Sequence, residues 1–132
     1  MTSPAQQLDE LVRRFAAGRT VDVLKIDCEG CEYPAFDYLV EKQPAQLCGV
    51  QQLLMEVHAS ASMGLTAPAQ LRRLLRHAWV DHDFRVFSSV IAEGLTEDRS
   101  VAREVNRAGL PSGLCCYNLH MRRVGRGRAC AA

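Results

Sequence analysis

The sequence predicts an α/β domain, with a mostly parallel sheet, helices on both faces and an antiparallel carboxyl-terminal edge. Three observations predict it. Two short runs, Val21–Ile26 and Val50–Val57, are almost continuously aliphatic, the pattern of strands buried on both faces of a parallel sheet. Around them lie stretches with apolar residues at helical spacing, so strand and helix alternate along the chain. Each aliphatic run also ends abruptly in polar groups, Asp27 after the first and Glu56 and His58 at the end of the second.

Taken in order, the chain opens with Ser3, Pro4 and Gln6, which suit an N-cap, a first helical position and a capping-box partner. A helix from Pro4 to about Ala17 follows, with Leu8, Leu11, Val12 and Phe15 on one face and Gly18 as its stop. It is expected to cover the sheet. Val21–Ile26 is the first strand, with Asp22 and Lys25 at its ends or leaning outward. After an acidic turn, Pro34 to Val40 reads as a short helix burying Phe36 and Leu39 and broken by Pro44. Val50–Val57 is the second strand. Ala59 to Gly64 is a small-residue loop, and Thr66 caps a helix that buries Leu71, Leu74, Leu75 and Ala78. Phe84–Ile91 and Leu114–Met121 are the last strands, paired antiparallel across a long excursion with a charged helix through about Asn106 and a turn at Gly109–Gly113. The final GRGRACAA is small and arginine-rich, so residues 122–132 are expected to be a frayed tail.

Composition narrows the functional classes. At 132 residues and 48% hydrophobic content, the chain suits a single domain that buries roughly two-thirds of its unfolded surface. Sixteen basic and 15 acidic residues leave a net charge of +1. No global field favours nucleic acid or an anionic membrane. Arg122, Arg123, Arg126 and Arg128 lack the interleaved aromatics of a single-strand binding surface. No apolar run reaches the length of a membrane span or a signal peptide, and the chain reads as soluble and, by default, cytoplasmic. Cysteines 28, 31, 48, 115, 116 and 130 are few and irregularly spaced, so reduced thiols are the expectation.

The chemistry concentrates where the first strand ends. In open α/β sheets, ligands sit past the carboxyl ends of the strands. If the first two strands are parallel, Asp27 and Glu56 face one crevice. Asp27 ends a buried strand and has no evident structural reason to be there. Glu29 and Glu32 suit equally the capping of the helix that follows, and Glu56 suits an ion pair with Lys25. His77, His82 and Trp79 suit surface packing. Cys28 and Cys31 form a CxxC between strand and helix, which suits a thioredoxin-like dithiol. Glu29 and Glu32 oppose it, because nearby negative charge raises a thiol pKa. Zinc held by Cys28 and Cys31 with His58 or Cys48 is the other thiol alternative. The plainest reading makes these cysteines small residues filling a tight turn.

LKIDCEGCEY, at residues 24–33, resembles the LKIDIEGAE signature of FkbM-type S-adenosylmethionine-dependent methyltransferases. The LLMEVH of residues 53–58 and the closing GLCCYNLHM resemble the methyltransferase-like relatives of that family. The resemblance implies a partial Rossmann-like methyltransferase fold, with Val21–Ile26 and Val50–Val57 as the fourth and fifth of seven strands and the first strands missing. It implies S-adenosylmethionine as methyl donor and a sugar or small-molecule hydroxyl as acceptor. On this reading Asp27 lies beside donor and acceptor, Glu29, Gly30 and Glu32 flank it, and Glu56 and His58 line the acceptor side. Asp27 or His58 suits the base that an acceptor hydroxyl needs. The family's glycine-rich donor turn is not found among the nine glycines. The chain is therefore expected to represent the carboxyl-terminal half of the domain, to bind the donor weakly or not at all and so to be inactive alone, and to self-associate through an exposed sheet edge. A non-catalytic interaction module is the alternative.

Overall fold

The structure, a computed structural model, describes residues 4–16, 18–59, 68–91, 103, 106–107 and 116–131. Helix α1 (Pro4–Ala16) leads through Gly18, at φ 79°, into β1 (Val21–Ile26). Helix α2 (Glu32–Lys42) and a short 3₁₀ turn at Gln46–Gly49 precede β2 (Val50–His58). Helix α3 (Pro68–Arg76) runs into a π-helical turn, His77–Asp81, and then β3 (Phe84–Ile91). Strand β4 (Cys116–Arg123) and a 3₁₀ turn at Arg128–Cys130 close the chain. The Ser3 and Thr66 caps, most of the Ala59–Gly64 loop, the charged helix near Asn106 and the Gly109–Gly113 turn fall wholly or largely outside the described residues.

The four strands are ordered β1-β2-β4-β3. Strands β1 and β2 are parallel, with Ile26 opposite Met55. Strand β4 runs antiparallel to both β2 and β3. The last two strands therefore pair as expected, but the sheet is not mostly parallel, since one of its three described pairings is. Returning after β3, the chain inserts β4 against β2, and this converts the far half of the sheet to antiparallel.

Helices lie against one another in sequence, α1 on α2 and α2 on α3. Beneath them, Leu53, Met55 and Val57 of β2 and Tyr117, Leu119 and Met121 of β4 form the buried face, joined by Phe36, Leu39, Leu71 and Leu74. The opposite face, with Gln52, Leu54, Glu56, Asn118 and His120, is only half-buried. A second helical layer over that face, as expected from the sequence, is not among the described residues. Strand β1 is likewise an edge of the described sheet and not a doubly buried strand there, and Val23 is 49% exposed. Helix α1 covers it partially, leaving Leu11 and Phe15 exposed beside a groove of about 470 Å³. Asp22 and Lys25 do point outward.

Disulfides replace the expected reduced thiols among the described residues. Cys28 is bonded to Cys31 and Cys48 to Cys130, with Cα–Cα separations of 5.3 and 5.5 Å, inside the bridgeable range. The second bond ties the segment expected to fray onto the turn before β2. Arg123 does the same work without covalent bonds. Its guanidinium donates to the carbonyl oxygens of Val50 (2.9 Å), His82 (2.7 Å) and Leu47, and stacks 4.6 Å over Phe84. His77 and His82, expected at the surface, are buried beneath this cap.

Candidate functional site

Parallel pairing of β1 and β2 sets the site. Because Ile26 is level with Met55, the next residue on each strand, Asp27 and Glu56, emerges at the same height. Two residues on, His58 joins them. Oxygen and nitrogen atoms of Asp27, Glu56 and His58 lie within 4.8 Å of one another. Their side chains are 36%, 18% and 4% exposed in that order, so the cluster grades from an open carboxylate to a buried imidazole.

The turn between β1 and α2 builds the floor. Glu29 at φ 51° and Gly30 at φ 103° reverse the chain in the left-handed region, which costs a non-glycine residue roughly 1–2 kcal/mol. The Cys28–Cys31 bond spans this reversal. Gly30 is buried, and its N–H donates to Glu32 Oε2 at 2.9 Å. The other carboxylate oxygen accepts from the backbone N–H of His58 and meets His58 Nδ1, both at 2.9 Å. Next along α2, the Tyr33 hydroxyl donates to the His58 carbonyl at 2.8 Å. Burial, and then the Glu32 charge, push the Tyr33 phenol far above its ordinary range, so it stays a donor.

These contacts fix the histidine's proton. Glu32 already accepts two backbone N–H groups, the environment of an ionised carboxylate, and an ionised carboxylate accepts only. His58 Nδ1 therefore carries hydrogen, and Nε2 turns to the crevice, 3.9 Å from Glu56 Oε1. The arrangement is that of an oriented base, with an acid behind the imidazole holding its tautomer.

Glu56 has its carboxyl raised above the usual range, first by burial and then by the Asp27 charge and a hydrogen bond with Asp27. His58 and Lys25 pull the other way. A raised acid is penalised in its charged form by the fold, and that penalty vanishes once the group is protonated in both folded and unfolded states. Glu56→Gln is thus expected to raise the melting temperature at pH 7.5, with the gain fading below about pH 4. Thermal melts across that range check it.

Of the residues singled out from sequence, Asp27, Glu56 and His58 come together. Gly30 takes part through its N–H, and Glu29 is exposed at the rim. Glu32 does not line the crevice: it is fully buried behind His58. Lys25 pairs with Asp27 at 3.2 Å, so the expected Lys25–Glu56 pair gives way to a nearer acid. Cys28 and Cys31, bonded to each other, are not gathered with His58 or with Cys48 into a ligand cluster among the described residues, and Cys48 lies at the opposite end of β2 from His58, bonded to Cys130. Tyr33 went unnoticed in the sequence. Its signal was its place beside Glu32 at the start of an inward-facing helix.

No helix among the described residues is long and apolar enough to cross a membrane. Searches of curated proteins and of solved structures find no match. The sequence model of the methyltransferase FkbM domain matches residues 1–86, a stretch that holds α1, β1, α2, β2 and α3 and every member of the acid–histidine cluster. The chain belongs to the FkbM methyltransferase family.

Proposed function

We propose that the crevice at the carboxyl ends of β1 and β2 serves S-adenosylmethionine-dependent O-methylation of a sugar or small-molecule hydroxyl. The observation that carries this reading is the Glu32–His58 pair, which leaves Nε2 facing Asp27 and Glu56 inside the family's matched region.

The residues present fit the reacting end of the donor. Asp27 and Glu56 supply the negative charge that suits a sulfonium, whereas nothing in the sequence supplies a glycine-rich cradle for the nucleoside. When bound, the donor supplies an electrophilic methyl group. The chain's own residues supply the rest. Asp27 and Glu56 accept hydrogen bonds from polar groups of the acceptor beside the reacting hydroxyl and so hold its oxygen in line. His58 Nε2 takes the hydroxyl proton, and the imidazolium that results is stabilised by Glu32 behind it. The half-open Asp27 admits the acceptor from solvent, and the buried histidine keeps the proton off it.

Transfer of labelled methyl groups to a panel of monosaccharides and small alcohols, at high donor concentration, tests the reading. Transfer to oxygen that depends on His58 is expected. Donor binding detected by calorimetry together with complete absence of transfer over the panel overturns it in favour of a non-catalytic interaction module.

A further inference from the structure

A second cluster of ligating atoms lies at the other end of the sheet from the crevice. Cys48, His82 and Cys130 offer two sulfurs and a ring nitrogen within 4.8 Å of one another. They come from three separate places: the turn before β2, the residues between the π-helical turn and β3, and the carboxyl-terminal turn. We propose that these three residues form a zinc-class divalent cation site when the Cys48–Cys130 disulfide is reduced.

The distances fit. His82 Nδ1 lies 3.4 Å from Cys130 Sγ. Zinc bonds of about 2.3 Å to sulfur and 2.0–2.1 Å to nitrogen, at a tetrahedral angle, separate those atoms by about 3.5 Å. Only the sulfurs must part, to about 3.8 Å on the same geometry, a change within reach of side-chain rotation. Two cysteines and one histidine leave a fourth position for water.

A layer behind the ligands is already built. His82 Nε2 meets His77 Nε2 at 3.2 Å, and His77 Nδ1 meets Asp81 Oδ2 at 3.1 Å. A ligating histidine anchored through its far nitrogen to a carboxylate is the usual support of a metal site. Arg123 Nη1 lies 3.7 Å from Cys130 Sγ and can donate to a thiolate there. The same guanidinium binds the carbonyls of Leu47, His82 and Arg126, next to or near each ligand in the chain. The three ligands therefore stay gathered when the covalent bond is opened.

The chemistry balances. A dithiol reductant supplies two electrons and two protons to the Cys48–Cys130 bond, leaving two thiols and its own disulfide. The cation then displaces both thiol protons and binds two thiolates and the imidazole. The site is thus open to metal in a reducing setting and closed by oxidation.

Cobalt titration of the phosphine-reduced protein tests the proposal. One equivalent should produce thiolate-to-cobalt charge-transfer absorption with tetrahedral d–d bands, bleached when zinc is added. Cys48→Ser and Cys130→Ser should each abolish the bands, and Cys28→Ser with Cys31→Ser should preserve them. His77→Gln, which touches no metal, should weaken cobalt binding roughly 10- to 100-fold. Absence of tetrahedral bands in the reduced wild type, or bands that survive in Cys130→Ser, would overturn the assignment. Retained near-ultraviolet dichroism establishes that each variant is folded.

Discussion

Replacing Glu32 with alanine is expected to cost the fold roughly 3–5 kcal/mol, because it leaves several buried hydrogen-bond donors without their acceptor. The carboxylate is fully buried and joins three points of the chain that are remote in sequence or strained: the Gly30 N–H, the His58 N–H and the His58 ring. Removing it strands two backbone donors and one ring donor away from water, each costing about 1–3 kcal/mol if unrelieved. Glu32→Gln should recover only part of the loss, because its amide presents hydrogens to a group that is itself a donor. Urea denaturation of the two variants measures this. A loss under about 1 kcal/mol would mean that the carboxylate does not hold the turn.

Replacing Arg123 with alanine should also be severe, roughly 2–4 kcal/mol, because a half-buried guanidinium that donates to three carbonyls is lost. Burial pulls the guanidinium below its ordinary range, and the Asp83 charge opposes that pull, yet it remains charged at any physiological pH. Its fork spans the carbonyls of Leu47, Val50 and His82, and alanine leaves them without that donor. Lysine cannot replace it, since a single ammonium does not reach three diverging oxygens. The Cys48–Cys130 bond closes a separation of 82 residues, worth about 4.5 kcal/mol in the chain-entropy account, and it pins the same segment. Arg123→Ala should therefore lower the denaturation midpoint in oxidising buffer and unfold much of the protein under reduction. An unchanged midpoint in reducing buffer would show that the guanidinium is incidental.

What was legible in the sequence follows a physical rule. Patterns that one segment carries by itself were readable: the apolar faces of α2 and α3, the strands at residues 21 and 50, and the polar groups at their ends. Asp27 and Glu56 could be brought together because parallel pairing needs no more than two adjacent buried strands. Features that depend on a distant partner were not. Glu32 looked like an ordinary first-turn acid, and its histidine lies 26 residues away. Cys130 looked like part of a loose tail, and its bonding partner lies 82 residues away. Strand β1 carries the composition of a doubly buried strand, but exposure is set by its neighbours, and on one side the described sheet has none. The insertion of β4 beside β2, which makes the sheet chiefly antiparallel, likewise has no local signal.

The histidines teach the same lesson. His77 and His82 flank a tryptophan near a helix end, which locally suggests a surface. Burial pushes His77 down from its ordinary value and takes His82 to about 4, with the His77 and Arg123 charges adding to the second shift. Packing against Phe36, Phe84 and the carboxyl-terminal turn removes them from water.

The central claim is that the imidazole of His58, oriented by Glu32 and facing Asp27 and Glu56, is the base of an oxygen methylation. The most direct measurement is labelled-methyl transfer by wild type, His58→Gln and Asp27→Asn, each verified as folded by its melt. The account predicts transfer to a hydroxyl by wild type and a loss of roughly 10²- to 10⁴-fold in His58→Gln, the contribution of a positioned base, with Asp27→Asn also impaired. Equal rates in wild type and His58→Gln would contradict it.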